Sequence, residues 1–254
     1  MTEREEDRLL FKRFAELAKK SEEHGYFIFT DFLGLSEQSV FSSVKDSIGK
    51  FAYTPFGGCE GAERVMIRFG DIDALGYEEP FPITVIKAEP KSVKFADKLT
   101  HRDFLGSLMN LGIERACLGD IAIIDNVGYI FVKEDMAEYI CSSLTRIKHT
   151  DVRLSVIDAP PAGELYRTET VSIQLVGERI DAVVAKVFSI SRDDSLALFR
   201  RGLVFVGGKV CENNSYSPKP CDVVSVRGYG RFIYRGPYGV SKKGKLNVHV
   251  DKYI

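Results

Sequence analysis

The chain has 254 residues, a mass of 28.4 kDa and 44% hydrophobic residues, enough to bury a core and to divide into two or three domains. Its net charge of −1 hides two unlike halves: residues 179–254 hold 14 Lys and Arg against 6 Asp and Glu, and residues 1–178 hold 21 against 30. Five cysteines (Cys59, Cys117, Cys141, Cys211, Cys221) without CxxC spacing argue against a disulfide framework, no apolar run is long enough to cross a membrane, and His24, His101, His149 and His249 lack ligand spacing. The charged start MTEREEDRLL has no signal core, so a cytoplasmic protein without metal or cofactor is expected.

Residues 1–75 are expected to form a mostly helical section. Leu10, Phe14, Leu17 and Ala18 make one face of a first helix, and Ser36 opens a second with Val40, Phe41 and Val44 on its apolar side. In GGCEGAER (57–64), three glycines let backbone amides approach an anion, and Arg64 can add a bidentate phosphate contact. Glu60 and Glu63 oppose that reading, so a structural turn is the first expectation and contact to RNA by Arg64 the second.

Residues 76–160 give strand, helix, strand, strand, helix, strand: 83–88, 101–111, 120–125, 128–132, 136–147 and 151–157, with a turn at Asn126-Val127. That order predicts a split βαβ domain, the arrangement of the RNA-recognition motif. Tyr129 and Phe131, two apart on one strand, would share a face and can stack on bases there; packing in the core is the competing use.

Residues 161–178 are expected to be a linker. Beyond it the basic block alternates with Val, Ile, Phe and Leu, which predicts a folded basic module and hence a polyanion partner. Ile180, Val183, Val184 and Val187 line a first helix, Ser191 and Asp194 suit a capping box on a second, Gly202 can end it, and short strands follow around a Gly207-Gly208 turn. Arg179 and Arg192 at the helix starts, Arg200 and Arg201 at a helix end, Lys209 after the turn, and Arg227 and Arg231 in SVRGYGRF can build a basic surface, with Ser191 and Ser195 as hydroxyl donors.

In order, Arg179-Ile180-Asp181, Ser191-Arg192, Arg201-Gly202, Val206-x-Gly208-Lys209 and Asp222-Val-Val-Ser-Val resemble the small RNA-binding domain named after protein four of the small ribosomal subunit, the S-four domain. The resemblance departs at Gly207, where members usually carry Asn, and at Cys221, where they usually carry Gly. GGCEGAER, KFADKLTHRDFLGSLMNLGIERACLGDI (94–121) and SVRGYGRF (225–232) resemble the YlmH family of bacterial RNA-binding proteins. That likeness implies an α+β chain with a helical N-terminal section, an RNA-recognition-motif-like middle and a C-terminal S-four domain of two helices and short antiparallel strands. It further implies a non-enzymatic RNA binder whose partners are ribosomal RNA and tRNA on the large ribosomal subunit during rescue of stalled translation, with no DNA and no membrane. The alternative is an RNA-modifying enzyme. For it, His101 with Asp103 and Lys98, or Cys117 with His101, would have to do the chemistry, and no local signature supports either.

Overall fold

The computed structural model describes residues 3–48, 51–161 and 168–253, and the chain divides into two compact units, Met1–Tyr166 and Arg167–Ile254. Each combines helices with antiparallel sheet, an α+β architecture.

The first unit begins with α1 (Glu3–His24), β1 (Ile28–Phe29), α2 (Leu35–Ile48), β2 (Tyr53–Phe56), β3 (Met66–Phe69) and the single turn α3 (Ile72–Leu75). Phe14, Leu17 and Ala18 of α1 are buried with Val40 and Phe41 of α2, the two faces that the helical spacing predicts; the side chain of Val44 lies outside the described residues. A mostly helical section misses a three-stranded sheet, order β1-β3-β2. Its central strand is buried at all four positions, so it shows no alternation to read.

Next come β4 (Ile83–Pro90), α4 (His101–Asn110), β5 (Leu118–Ile124), β6 (Val127–Lys133), α5 (Ala137–Ser143), β7 (Arg146–Ile147) and β8 (Thr150–Ile157), with sheet order β5-β6-β4-β8-β7. Ile86, Ile130, Phe104, Leu108 and Ile140 meet in one core between sheet and helices. The β5–β6 turn falls one residue earlier than expected, on Asp125 and Asn126, which both have positive φ (49° and 65°), as a two-residue hairpin demands. The helix expected over 136–147 stops at Ser143. Ile147 still reaches the core, fully buried, but from a strand paired with Thr150.

The second unit holds β9 (Thr168–Leu175), α6 (Ile180–Val187), α7 (Arg192–Arg200), β10 (Val204–Val206), β11 (Lys209–Val210), β12 (Val223–Val226), β13 (Gly230–Val240) and β14 (Leu246–Tyr253). Its sheet runs β11-β10-β12-β13-β14-β9, and Val183, Val184, Val187 and Phe199 pack on Val224, Phe232, Tyr234 and Val250. The linker expected over 161–178 is corrected in part: β9 pairs with β14 from Tyr253↔Thr168 to Leu246↔Leu175, because Val171, Ile173 and Leu175 alternate toward that core. Residues 162–167 lie outside the described residues. Gly207 and Gly208 (φ 54° and 79°) form the turn predicted for them, and Cys221 stands at φ 74°, a left-handed conformation that a glycine adopts without strain. Among the described residues, no helix is long and apolar enough to cross a membrane.

Candidate nucleic-acid interface

The centre of the basic unit is a carboxylate. Asp181, in the first turn of α6, has a side chain only 1% exposed, and an isolated charge at that depth would be costly. Three donors relieve it. Arg179 donates from Nε and Nη2 at 3.1 and 3.0 Å, Arg192 donates from Nη2 to both carboxylate oxygens at 3.3 Å, and the Ala182 amide adds a bond at 2.8 Å. Two arginines, one capping α6 and one opening α7, are thus fixed by one acid. About half of each side chain stays exposed, 46% for Arg179 and 55% for Arg192. A guanidinium has five N–H donors, so both retain donors for a ligand.

These arginines line a cleft of about 760 Å³ whose walls also include Lys186, at the end of α6, and Lys245, before β14; among the described residues no Asp or Glu lines it. Sequence reasoning did not select the two lysines. Lys186 is in the helix's last turn, where a cation is expected for dipole reasons alone, and the place of Lys245 depends on β14, a strand that was not foreseen.

The other basic candidates fall elsewhere on the unit. Arg200 and Arg201 are exposed at the far end of α7, and Lys209 lies on β11. Arg227 lies over the Phe205 ring at 4.7 Å, and Arg231 over the Tyr253 ring at 3.9 Å; burial pushes the Arg231 guanidinium below its ordinary pKa. The two serines are corrected as hydroxyl donors. Ser195 is fully buried and donates to the Asp181 carbonyl at 2.8 Å. Ser191 is the N-cap of α7, one half of the foreseen capping box: its hydroxyl accepts the Asp194 amide at 3.0 Å and donates to the Asp194 carboxylate at 2.6 Å.

In the first unit the structure overturns three site expectations. Tyr129 and Phe131 are 8% and 0% exposed, so neither ring can stack on a base; Phe131 packs with Phe32, Met66 and Val85, and a Cβ on Gly58 would meet its ring at 2.5 Å. Arg64 is half-buried and turned onto the protein's own backbone. It donates to the carbonyls of Leu118 at 2.8 Å, Phe32 at 2.8 Å and Arg115 at 3.1 Å. The anion that GGCEGAER cradles is internal: the amides of Glu63 and Arg64 donate to Asp120 at 2.6 and 3.1 Å. The structural turn, the first expectation, is the one realised. For the enzyme alternative, burial pushes the Cys117 thiol up, away from the thiolate a nucleophile needs, and burial followed by the charge of Arg115 pushes His101 down. Among the described residues, no group of three or more His, Cys, Asp and Glu is placed to hold a metal ion.

Fold and site together define a two-unit α+β protein with an acid-locked arginine cleft in its basic unit. Residues 77–160 match a family profile described as "Putative RNA-binding domain in YlmH". The ribosome-associated protein quality control protein P2 of Bacillus subtilis is 30% identical over 259 residues, which cover 98% of this chain and 96% of the relative. The chain belongs to the YlmH family. A solved structure from Streptococcus pneumoniae, described as cell division protein ylmH, aligns over 63% of this chain and 94% of its own at 23% identity and a TM-score of 0.49.

Proposed function

We propose that this chain binds structured RNA, ribosomal RNA or tRNA, through the arginine cleft of its C-terminal unit, without catalysis, in association with the large ribosomal subunit during rescue of stalled translation. The carrying observation is the pair Arg179 and Arg192, oriented by a buried Asp181 and facing a cleft that Lys186 and Lys245 line and, among the described residues, no acid enters. Cations arranged this way suit phosphates along a folded backbone. In this reading the second unit is an S-four domain, and the βαββαβ order of 76–160 is a split βαβ domain with its aromatic face buried. The name of the Bacillus subtilis relative supports the ribosomal setting.

The test is titration of labelled tRNA and a ribosomal RNA fragment with the full chain at several salt concentrations. With roughly six phosphates neutralised, log K falls with log salt at a slope of about −4 to −5. Arg192→Ala and Arg179→Ala each weaken binding by about 1–3 kcal/mol and flatten the slope by about one. Lys19→Ala, which breaks only an exposed pair with Glu23, leaves both unchanged. Salt-insensitive binding, or an Arg192→Ala protein that binds like wild type, refutes the reading.

A further inference from the structure

We propose a second RNA contact, on the first unit, in which the loop after β4 stacks an unpaired base on Phe95 and holds the flanking phosphates with its lysines. The inference rests on RNA being the partner, and it locates a contact surface within residues 77–160.

Phe95 is 79% exposed and Val93 83%, and no other Phe or Tyr among the described residues is as open. Both sit on a single 3-10 turn, Val93–Phe95. Burying either would be favourable, yet the loop is not free to fold them in. The Lys91 amide donates to the Asp151 carbonyl at 2.9 Å, and the Asp97 amide donates to Thr150 Oγ1 at 2.8 Å. Asn126 Nδ2 donates to the Asp97 carbonyl at 2.8 Å while Asn126 Oδ1 accepts the Leu99 amide at 2.7 Å. A loop braced at both ends thus holds an aromatic ring in water.

The charge around it fits nucleic acid. Lys91, Lys94, Lys98, Arg102 and Lys148 are exposed, and among the described residues none of them forms an ion pair. Of the acids beside it, Asp97 is turned inward, accepting the His149 amide at 3.1 Å, Asp103 is bonded to Thr100 at the start of α4, and Asp151 pairs with Arg146. This is a basic patch inside the half of the chain that carries excess acid. Lys94 Nζ lies over one face of the Phe95 ring, 5.6 Å from its centroid, so a base would stack on the opposite face with the cation beside its phosphates, the combination by which single-stranded segments are held. The burial of Tyr129 and Phe131 sharpens the point, because a domain whose sheet aromatics are closed must meet RNA with other groups.

The chain contains no Trp, so Phe95→Trp places a sole Trp, excitable apart from the tyrosines, at the contact. Addition of an RNA hairpin with an unpaired loop should quench its emission, and a blunt duplex of equal length should not. Phe95→Ala in the full chain should weaken hairpin binding about five- to a hundredfold, and Lys94→Ala with Lys98→Ala should flatten the salt slope by about one to two. Hairpin affinity unchanged in Phe95→Ala together with unquenched Phe95→Trp overturns this contact alone, provided that Arg192→Ala has lost affinity in the same assay. A wild-type chain that binds no RNA overturns the function and the contact together. Sedimentation with phosphatidylserine vesicles that Phe95→Ala abolishes, with RNA affinity intact, assigns the loop to a lipid surface and overturns the proposal.

Discussion

Arg64 and Arg115 in the first unit and Arg179 and Arg192 in the second put the same side chain to opposite uses. In the first unit the guanidinium groups end on backbone carbonyls: Arg115 Nη1 donates to Leu118 and Gly119 at 3.0 and 2.9 Å, beside the three carbonyls that Arg64 serves. Burial, and then the nearby charge of Arg64, push Arg115 down to about 10, well below its ordinary range. In the second unit the guanidinium groups end on a buried carboxylate and stay half in water. Carbonyls draw an arginine into the fold and close loops around it. A buried acid fixes its direction and leaves donors over. An arginine-rich sequence therefore does not by itself say which arginines meet a ligand.

The largest expected effect separates the two uses. Arg64→Met deprives the carbonyls of Phe32 and Arg115 of their guanidinium donor and leaves that of Leu118 with Arg115 alone, so urea unfolding should show the first unit destabilised by about 2–4 kcal/mol. RNA affinity of the folded fraction should stay within about twofold of wild type, well under the tenfold that 1.4 kcal/mol represents. A large affinity loss in a protein of unchanged stability would make Arg64 a ligand-binding residue and collapse the comparison.

A middling effect is expected at Asp181, where charge and positioning pull apart. Asp181→Asn removes the acid that aligns two arginines but raises the local charge by one. Heparin, a polyanion without defined shape, should bind it more tightly than wild type, while the preference for a structured hairpin over heparin should fall. Stability should drop by about 1–3 kcal/mol, less than for a fully buried pair because both arginines are half exposed. If hairpin and heparin affinities rise together, Asp181 only dilutes charge and does not position it.

Much of this was legible in the chain. The helices α1, α4, α6 and α7 followed from apolar spacing, and the Ser191 N-cap and the Gly207-Gly208 turn from local chemistry. The misses share a physical cause. β3 is buried on both faces and has no alternation, Ile147 keeps a helical spacing while folding as strand, and Tyr129 and Phe131 look like a stacking surface although both are buried, Phe131 against Phe32 and Gly58. Those outcomes depend on contacts between residues far apart in sequence. In the basic unit the list of arginines was legible, but the place of Asp181 at their centre was not, since an acid near arginines reads only as a possible pair until its burial is known.

The smallest expected effect tests how far the interface extends. Phe232 and Tyr234 of β13 are fully buried in the core that α6 and α7 share, so by strand alternation Arg231 projects from the opposite face of the sheet, where it lies on Tyr253. Arg227 is similarly occupied by Phe205. Arg231→Ala and Arg227→Ala should each lose a cation–π contact, costing about 0.5–1 kcal/mol in thermal unfolding, and should lower RNA affinity by less than about 0.5 kcal/mol, against about 1–3 kcal/mol for Arg192→Ala. The ranking follows from which face each cation occupies, since the net charge removed is the same in all three. Should Arg231→Ala cost as much affinity as Arg192→Ala at every salt concentration, the RNA would have to reach around the sheet to its outer face, and the cleft beside Asp181 would be one edge of the interface instead of its centre.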